Sequence, residues 1–179
     1  MSAVWSDPRE LRPVRQMTEL SHAEAFVLRC LRRWIVGLQQ QDSRHWSVVW
    51  NDFAGAFGPD DARLLLTALT ALVRGLCGHA RRSIVHHRPC CSGVSPDEAC
   101  LLALIADCQR GDDFAAATRS AWLVVSDGTA DVIGAADDMA AILAAHGYRL
   151  EARMTTEEAG EAEREELDVL AAVGSGLAH

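Results

Sequence analysis

Residues 75–108 read Gly-Leu-Cys-Gly-His-Ala-Arg-Arg-Ser-Ile-Val-His-His-Arg-Pro-Cys-Cys-Ser-Gly-Val-Ser-Pro-Asp-Glu-Ala-Cys-Leu-Leu-Ala-Leu-Ile-Ala-Asp-Cys. An apolar helix ends in this stretch, a polar elbow follows, and a second helix opens at Ser95-Pro96-Asp97-Glu98. There serine and glutamate cap each other's backbone donors and proline suits the first turn. Five of the six cysteines and three of the seven histidines lie here. Ordinary amphipathic helix flanks the stretch on both sides, so the elbow is where chemistry is expected.

Working back from the elbow, Gly58-Pro59-Asp60-Asp61 starts the helix that ends between Gly78 and Arg82. Proline tolerates the first turn, and the acids oppose the positive end of the dipole. Leu64, Leu65, Leu66, Leu69, Leu72, Val73 and Leu76 cover more than one stripe, which predicts a central helix. Before it, a helix over 44–57 carries Trp46, Val49, Trp50, Phe53 and Phe57 on one face, with Ser43 as its expected N-cap. That aromatic seam reads as core, or as the wall of a pocket shared with His87. The first helix, 21–40, opens on the capping box Ser21-His-Ala-Glu24;. Val27, Cys30, Leu31, Trp34, Ile35 and Leu38 form its apolar stripe. Arg29, Arg32 and Arg33 read as a solvated face, with an anion-binding patch as the alternative. Residues 1–20 form an irregular arm, pinned to the body by Trp5 and Val14.

Forward of the elbow, Leu101, Leu102, Leu104, Ile105 and Cys108 line a helix over 96–109 that Gly111-Asp112-Asp113 breaks. A fifth helix, 113–125, buries Phe114, Ala117, Ala121, Trp122 and Val125. A sixth follows Asp127-Gly128-Thr129 and stops at Gly147. The Ala-rich surroundings of Leu123–Ser126 argue against sheet there. The predicted fold is all-α, an irregular bundle of five or six helices in a domain spanning 21–147. An acidic C-terminal segment, 148–179, forms a tail or an extra helix over Ala159–Val173.

Composition narrows the chemistry. With 179 residues and 49% apolar content the chain can bury a core without a metal or a disulfide;. No run of about 18 apolar residues suggests a membrane span, and Met1–Pro8 does not read as a secretory leader. A cytoplasmic location is expected, with free or metal-bound thiols rather than disulfides. Residues 1–92 hold 12 Arg against 8 acidic residues, and residues 93–179 hold 5 Arg against 17. The second half would repel a phosphate backbone, and Asp60 and Asp61 occupy the place where a DNA-reading helix needs polar or basic groups. Direct nucleic-acid binding is therefore not expected. Every basic residue is Arg, which excludes lysine-based covalent catalysis;. There is no glycine-rich phosphate loop, HExxH or GxSxG motif.

What remains is thiol and imidazole. Cys77, His79, His86, His87, Cys90, Cys91 and Cys100 are the candidate metal ligands, since four such groups close a zinc site. Zinc is the first candidate cofactor and an iron–sulfur cluster the second, although the spacing matches neither a zinc ribbon nor a ferredoxin. Cys100 and Cys108 stand about 12 Å apart along one helix, so they cannot share one zinc. Cys90 and Cys91, beside Arg88, two histidines and a helix N-terminus, are also candidate redox thiols. In a cysteine enzyme either would be the nucleophile, His87 the base and Asp97 its orienting group. The leading expectation is a small regulatory or adaptor protein working through protein contacts, with a metal-binding or redox-sensing elbow. A cysteine- or metal-dependent enzyme and a structural subunit with an apolar face on the third helix are the alternatives. A homodimer is compatible with so many large apolar side chains.

Overall fold

The computed structural model describes residues 5–6 and 13–151. Among them are six α-helices: α1 (His22–Gln40), α2 (Ser43–Phe57), α3 (Pro59–His79), α4 (Pro96–Arg110), α5 (Asp113–Leu123) and α6 (Ser126–Ala145). The all-α fold and the order of helices agree with the sequence. No helix among the described residues is long and apolar enough to cross a membrane. The helix expected over Ala159–Val173 lies outside the described residues.

Local chemistry sets the helix ends. Ser21 Oγ accepts from the Glu24 amide at 3.2 Å while Glu24 Oε2 accepts from the Ser21 amide at 2.8 Å, closing the capping box of α1;. Glu24 has a second duty, because its other oxygen accepts from the Glu151 amide at 2.9 Å. Asp42, rather than Ser43, caps α2 through the Arg44 amide. Gly111 ends α4 in the left-handed region at φ 67°, where a missing Cβ avoids strain;.

α3 and α6 lie antiparallel, and their pairing is tied at both ends. His146, after α6, meets Asp61 near the start of α3 at 2.6 Å. At the other end Gly128 sits directly against the ring of His79, and Gly75 against Val132. The helix buried on all sides is α4, not α3: every residue from Pro96 to Asp107 is buried. α4 has alanine and cysteine between its leucines, so neighbours approach closely all round. α3 keeps a solvent stripe of Asp60, Arg63, Leu64, Thr67, Ala71 and Arg74, and its Leu64 is 56% exposed. Phe114 also departs from expectation: it points outward from the first turn of α5 at 84% exposure.

Three short extended pairings were not anticipated. β1 (Trp5–Ser6) runs parallel to β3 (Ile84–Val85), and β2 (Arg15–Gln16) antiparallel to β4 (Gly93–Val94). Ala80 bridges Val124 across the α5–α6 junction. There Val125 N–H donates to His79 O at 2.9 Å and Arg81 N–H to Leu123 O at 3.1 Å. The chain straightens at Leu123 because those backbone groups have partners outside the helix. At the far end of the body, Tyr148 packs on Phe57 with ring centroids 4.8 Å apart, and Leu150 is buried. Gln109 holds this stretch, donating to Tyr148 O and accepting from the Leu150 amide, both at 2.8 Å.

Candidate functional site

The elbow between α3 and α4 is held by two buried carboxylates in the first turn of α4. Asp97 takes both ends of the Arg82 guanidinium at 2.7 and 2.8 Å and the Val85 amide at 2.7 Å. Glu98 closes the α4 capping box with Ser95 and also accepts from the His87 amide at 2.9 Å. Its partner is Arg32 of α1. Arg32 Nε and Nη2 reach the two oxygens of Glu98 at 2.7 and 2.8 Å. The remaining guanidinium donors go to Cys91 O at 2.8 Å and Gly93 O at 2.6 Å. Arg32 is thus not on a solvated face but is the clasp that shapes the loop. Its backbone position gave the signal: it lies four residues after Leu28 and three before Ile35, and both are fully buried;.

On this frame the expected site residues fall into separate places. Cys91 Sγ lies 3.4 Å from Nδ1 of the buried His87. Cys90, next to it, is exposed. Cys77, in the last turn of α3, accepts the indole N–H of Trp5 at 3.2 Å. His86 meets the same indole edge-on, with centroids 5.8 Å apart. His79 closes α3 with Nε2 3.9 Å from Asp131 of α6 and helps line a groove of about 470 Å³ between those helices. Cys100 lies inside α4 with its thiol on Arg119 O at 3.6 Å. Burial, with Asp97 adding to it, pushes that thiol up to about 12;. Among the described residues no three His, Cys, Asp or Glu side chains are grouped to hold a metal ion.

Asp97, the expected orienting group for His87, gives its oxygens to Arg82 and Val85 instead. Trp46 stands against Trp34, with ring centroids 5.8 Å apart, and covers Gly37 of α1. The remaining thiols are structural. Burial raises Cys30 to about 12 and the half-buried Cys108 to about 11, so both stay protonated at neutral pH;.

The arrangement therefore defines a small helical bundle whose elbow carries one thiol–imidazole contact. No family model, curated protein or solved structure matches the chain.

Proposed function

We propose that the chain is a small cytoplasmic regulatory or adaptor protein that acts through contacts with other proteins and carries a thiol-responsive elbow. Cys91 is its reactive group and His87 its proton acceptor. The observation that carries this reading is the 3.4 Å contact between Cys91 Sγ and His87 Nδ1. A thiolate paired with imidazolium is the reactive form of cysteine. The loop that bears the pair is not slack, because the Arg32–Glu98 clasp grips Cys91 O and the His87 amide together. A covalent change at Cys91 would reach α1 and α4 through that clasp.

The same pair fits one edge of a zinc site, since tetrahedral sulfur and nitrogen ligands stand roughly 3.6 Å apart. Cys90 is the nearest further donor in sequence. An iron–sulfur cluster needs more thiolates than this loop offers. A cysteine-dependent enzyme would use the same two groups, but the orienting carboxylate it needs is committed to Arg82. These commitments favour the sensing role over catalysis.

Alkylation with iodoacetamide, followed by mass spectrometry between pH 6 and pH 9, tests the reading. Cys91 should label several-fold faster than Cys77, and His87→Ala should remove that advantage. Equal rates at the two thiols, indifferent to His87, would refute it. Competition with a zinc-chelating dye reports separately on the metal. Zinc bound by the wild-type chain should be lost in Cys91→Ala.

A further inference from the structure

Cys91 has a second thiol beside it, on a turn that holds the two sulfurs differently. Residues 88–91 form a tight turn closed by Cys91 N–H, which donates to Arg88 O at 2.9 Å. Cys91 is partly buried and fixed on both sides. Arg32 grips its carbonyl at 2.8 Å, and the next carbonyl, Ser92 O, accepts from the Met17 amide at 2.7 Å. Its sulfur lies 3.4 Å from His87 Nδ1. Cys90 occupies the corner of the turn and is exposed. The remaining cysteines all lie on helices: Cys30 and Cys100 are buried, Cys108 is partly buried, and Cys77 accepts the Trp5 indole N–H.

A positioned thiol beside a base, with an exposed thiol next to it, is the arrangement that two-step thiol oxidation needs. The first sulfur is activated and oxidised. The second, turning about its own Cα–Cβ bond, attacks the oxidised sulfur. Adjacent α-carbons are about 3.8 Å apart, against about 5.5–6 Å in an ordinary disulfide. A bridge between neighbours is therefore strained and readily reduced, so the oxidation is reversible by a small thiol.

We propose that Arg88–Cys91 is a reaction site for a small hydroperoxide, at which Cys91 is oxidised and Cys90 closes a vicinal disulfide onto it. The inference rests on the reading of Cys91 as the reactive thiol and adds its oxidant and its resolving partner. The Cys91 thiol passes its proton to His87 Nδ1, and the thiolate attacks the terminal peroxide oxygen. The S–O bond forms as the O–O bond breaks, and the leaving alkoxide takes the proton from His87. Cys91 is then a sulfenic acid and the peroxide has become an alcohol, or water if the oxidant is hydrogen peroxide. Cys90 loses its proton and attacks the Cys91 sulfur. The S–S bond forms, the S–O bond breaks, and hydroxide leaves with that proton as water. Closing the ring re-aims the Cys90–Cys91 peptide, whose N–H is the one donated to Arg88 O, and so acts on the turn that Arg32 holds.

The test uses the full chain, reduced and freed of reductant, then exposed to an equimolar amount of hydrogen peroxide at pH 7. Free thiols are blocked with N-ethylmaleimide, and fragment mass spectrometry locates the bridge. The wild type should lose two hydrogens, with Cys90 joined to Cys91. Cys90→Ser has no resolving thiol and should accumulate several-fold more Cys91 sulfenic acid, trapped by dimedone, than the wild type. Cys91→Ser should leave Cys90 a free thiol under the same exposure. The wild-type map needs no variant, so the test survives a variant that does not fold. A bridge from Cys91 to any other cysteine, a dimer linked through Cys90, or equal dimedone labelling of wild type and Cys90→Ser would overturn the pairing. Each of those results leaves the iodoacetamide advantage of Cys91 intact, whereas loss of that advantage refutes the reactive-thiol reading itself.

Discussion

Arg32 and Glu98, 66 positions apart, form a two-pronged ion pair in which neither side chain is more than 1% exposed. Two charges taken out of water are tolerated only when every donor and acceptor has a partner. Here the spare guanidinium donors go to loop carbonyls and the spare lone pairs of the carboxylate to the Ser95 and His87 amides. Breaking one side leaves the other charge buried and alone. Arg32→Met should therefore lower stability by about 3–5 kcal/mol, read from urea unfolding midpoints. The double variant Arg32→Met/Glu98→Leu should recover part of that loss, because no buried charge remains. A loss below about 1 kcal/mol for the single variant would mean that water reaches the pair.

A second expectation concerns alkaline pH. Burial raises the Cys30 and Cys100 thiols from 9.0 to about 12 in the folded chain. Between those values the folded state keeps a proton that the unfolded state has lost, so stability is full below pH 9 and falls as pH rises toward 12. Each thiol contributes a slope of about 1.4 kcal/mol per pH unit within that window. Stability measured by urea titration at pH 8, 9.5 and 10.5 should decline, and Cys30→Ala should decline less steeply than the wild type. Parallel curves would show that the Cys30 thiolate is solvated in the native state.

Much of this architecture was legible because it is written locally. Ser21 with Glu24, Pro59 with Asp60 and Asp61, and Ser95 with Pro96 and Glu98 each fix a helix start within four residues. The apolar spacing behind each start gives the helix itself. What escaped is non-local. Nothing near Arg32 announces a carboxylate on α4, and nothing near Trp5 announces a sulfur acceptor at Cys77. The prominence of α3 came from its leucine count, whereas centrality went to α4, whose small residues let other elements close in from every side. The clustering of thiols and imidazoles along the chain likewise did not dictate one meeting point. Of the expected set the fold joins Cys91 to His87, while Cys77 and His86 meet at Trp5.

Phe114 and Phe53 make a matched pair for stability. Both are aromatic residues on helices, but Phe53 is buried among α1, α2 and Tyr148-side aromatics whereas Phe114 is open to solvent. Phe53→Ala should cost about 3–5 kcal/mol, as truncations of buried rings do. Phe114→Ser should stay within about 0.5 kcal/mol of the wild type. Thermal melts of the two variants decide the matter. A large loss at Phe114 would reveal that the side chain is covered in solution.

Gly128 gives the sharpest steric test. It is the third residue of α6, where alanine would ordinarily help the helix by about 1 kcal/mol. Its backbone angles lie outside the left-handed region, so no conformational strain opposes the change. The obstacle is His79. A methyl group at position 128 would overlap the His79 Cβ and ring, at the point where the end of α3 and the start of α6 are stitched by Val125 N–H to His79 O. Cβ is attached directly to the α3 backbone and cannot swing aside as a ring tip can. The two helix ends must separate, which loosens the antiparallel pair and the Ala80–Val124 bridge beside it. Gly128→Ala should therefore be destabilising by about 1–3 kcal/mol, the usual range for overpacking, despite its better helix propensity. His79→Ala leaves its own Cβ in place, so it should not rescue the variant, whereas His79→Gly should. A Gly128→Ala chain as stable as the wild type in urea would show that α3 and α6 approach less closely at this end than the structure describes.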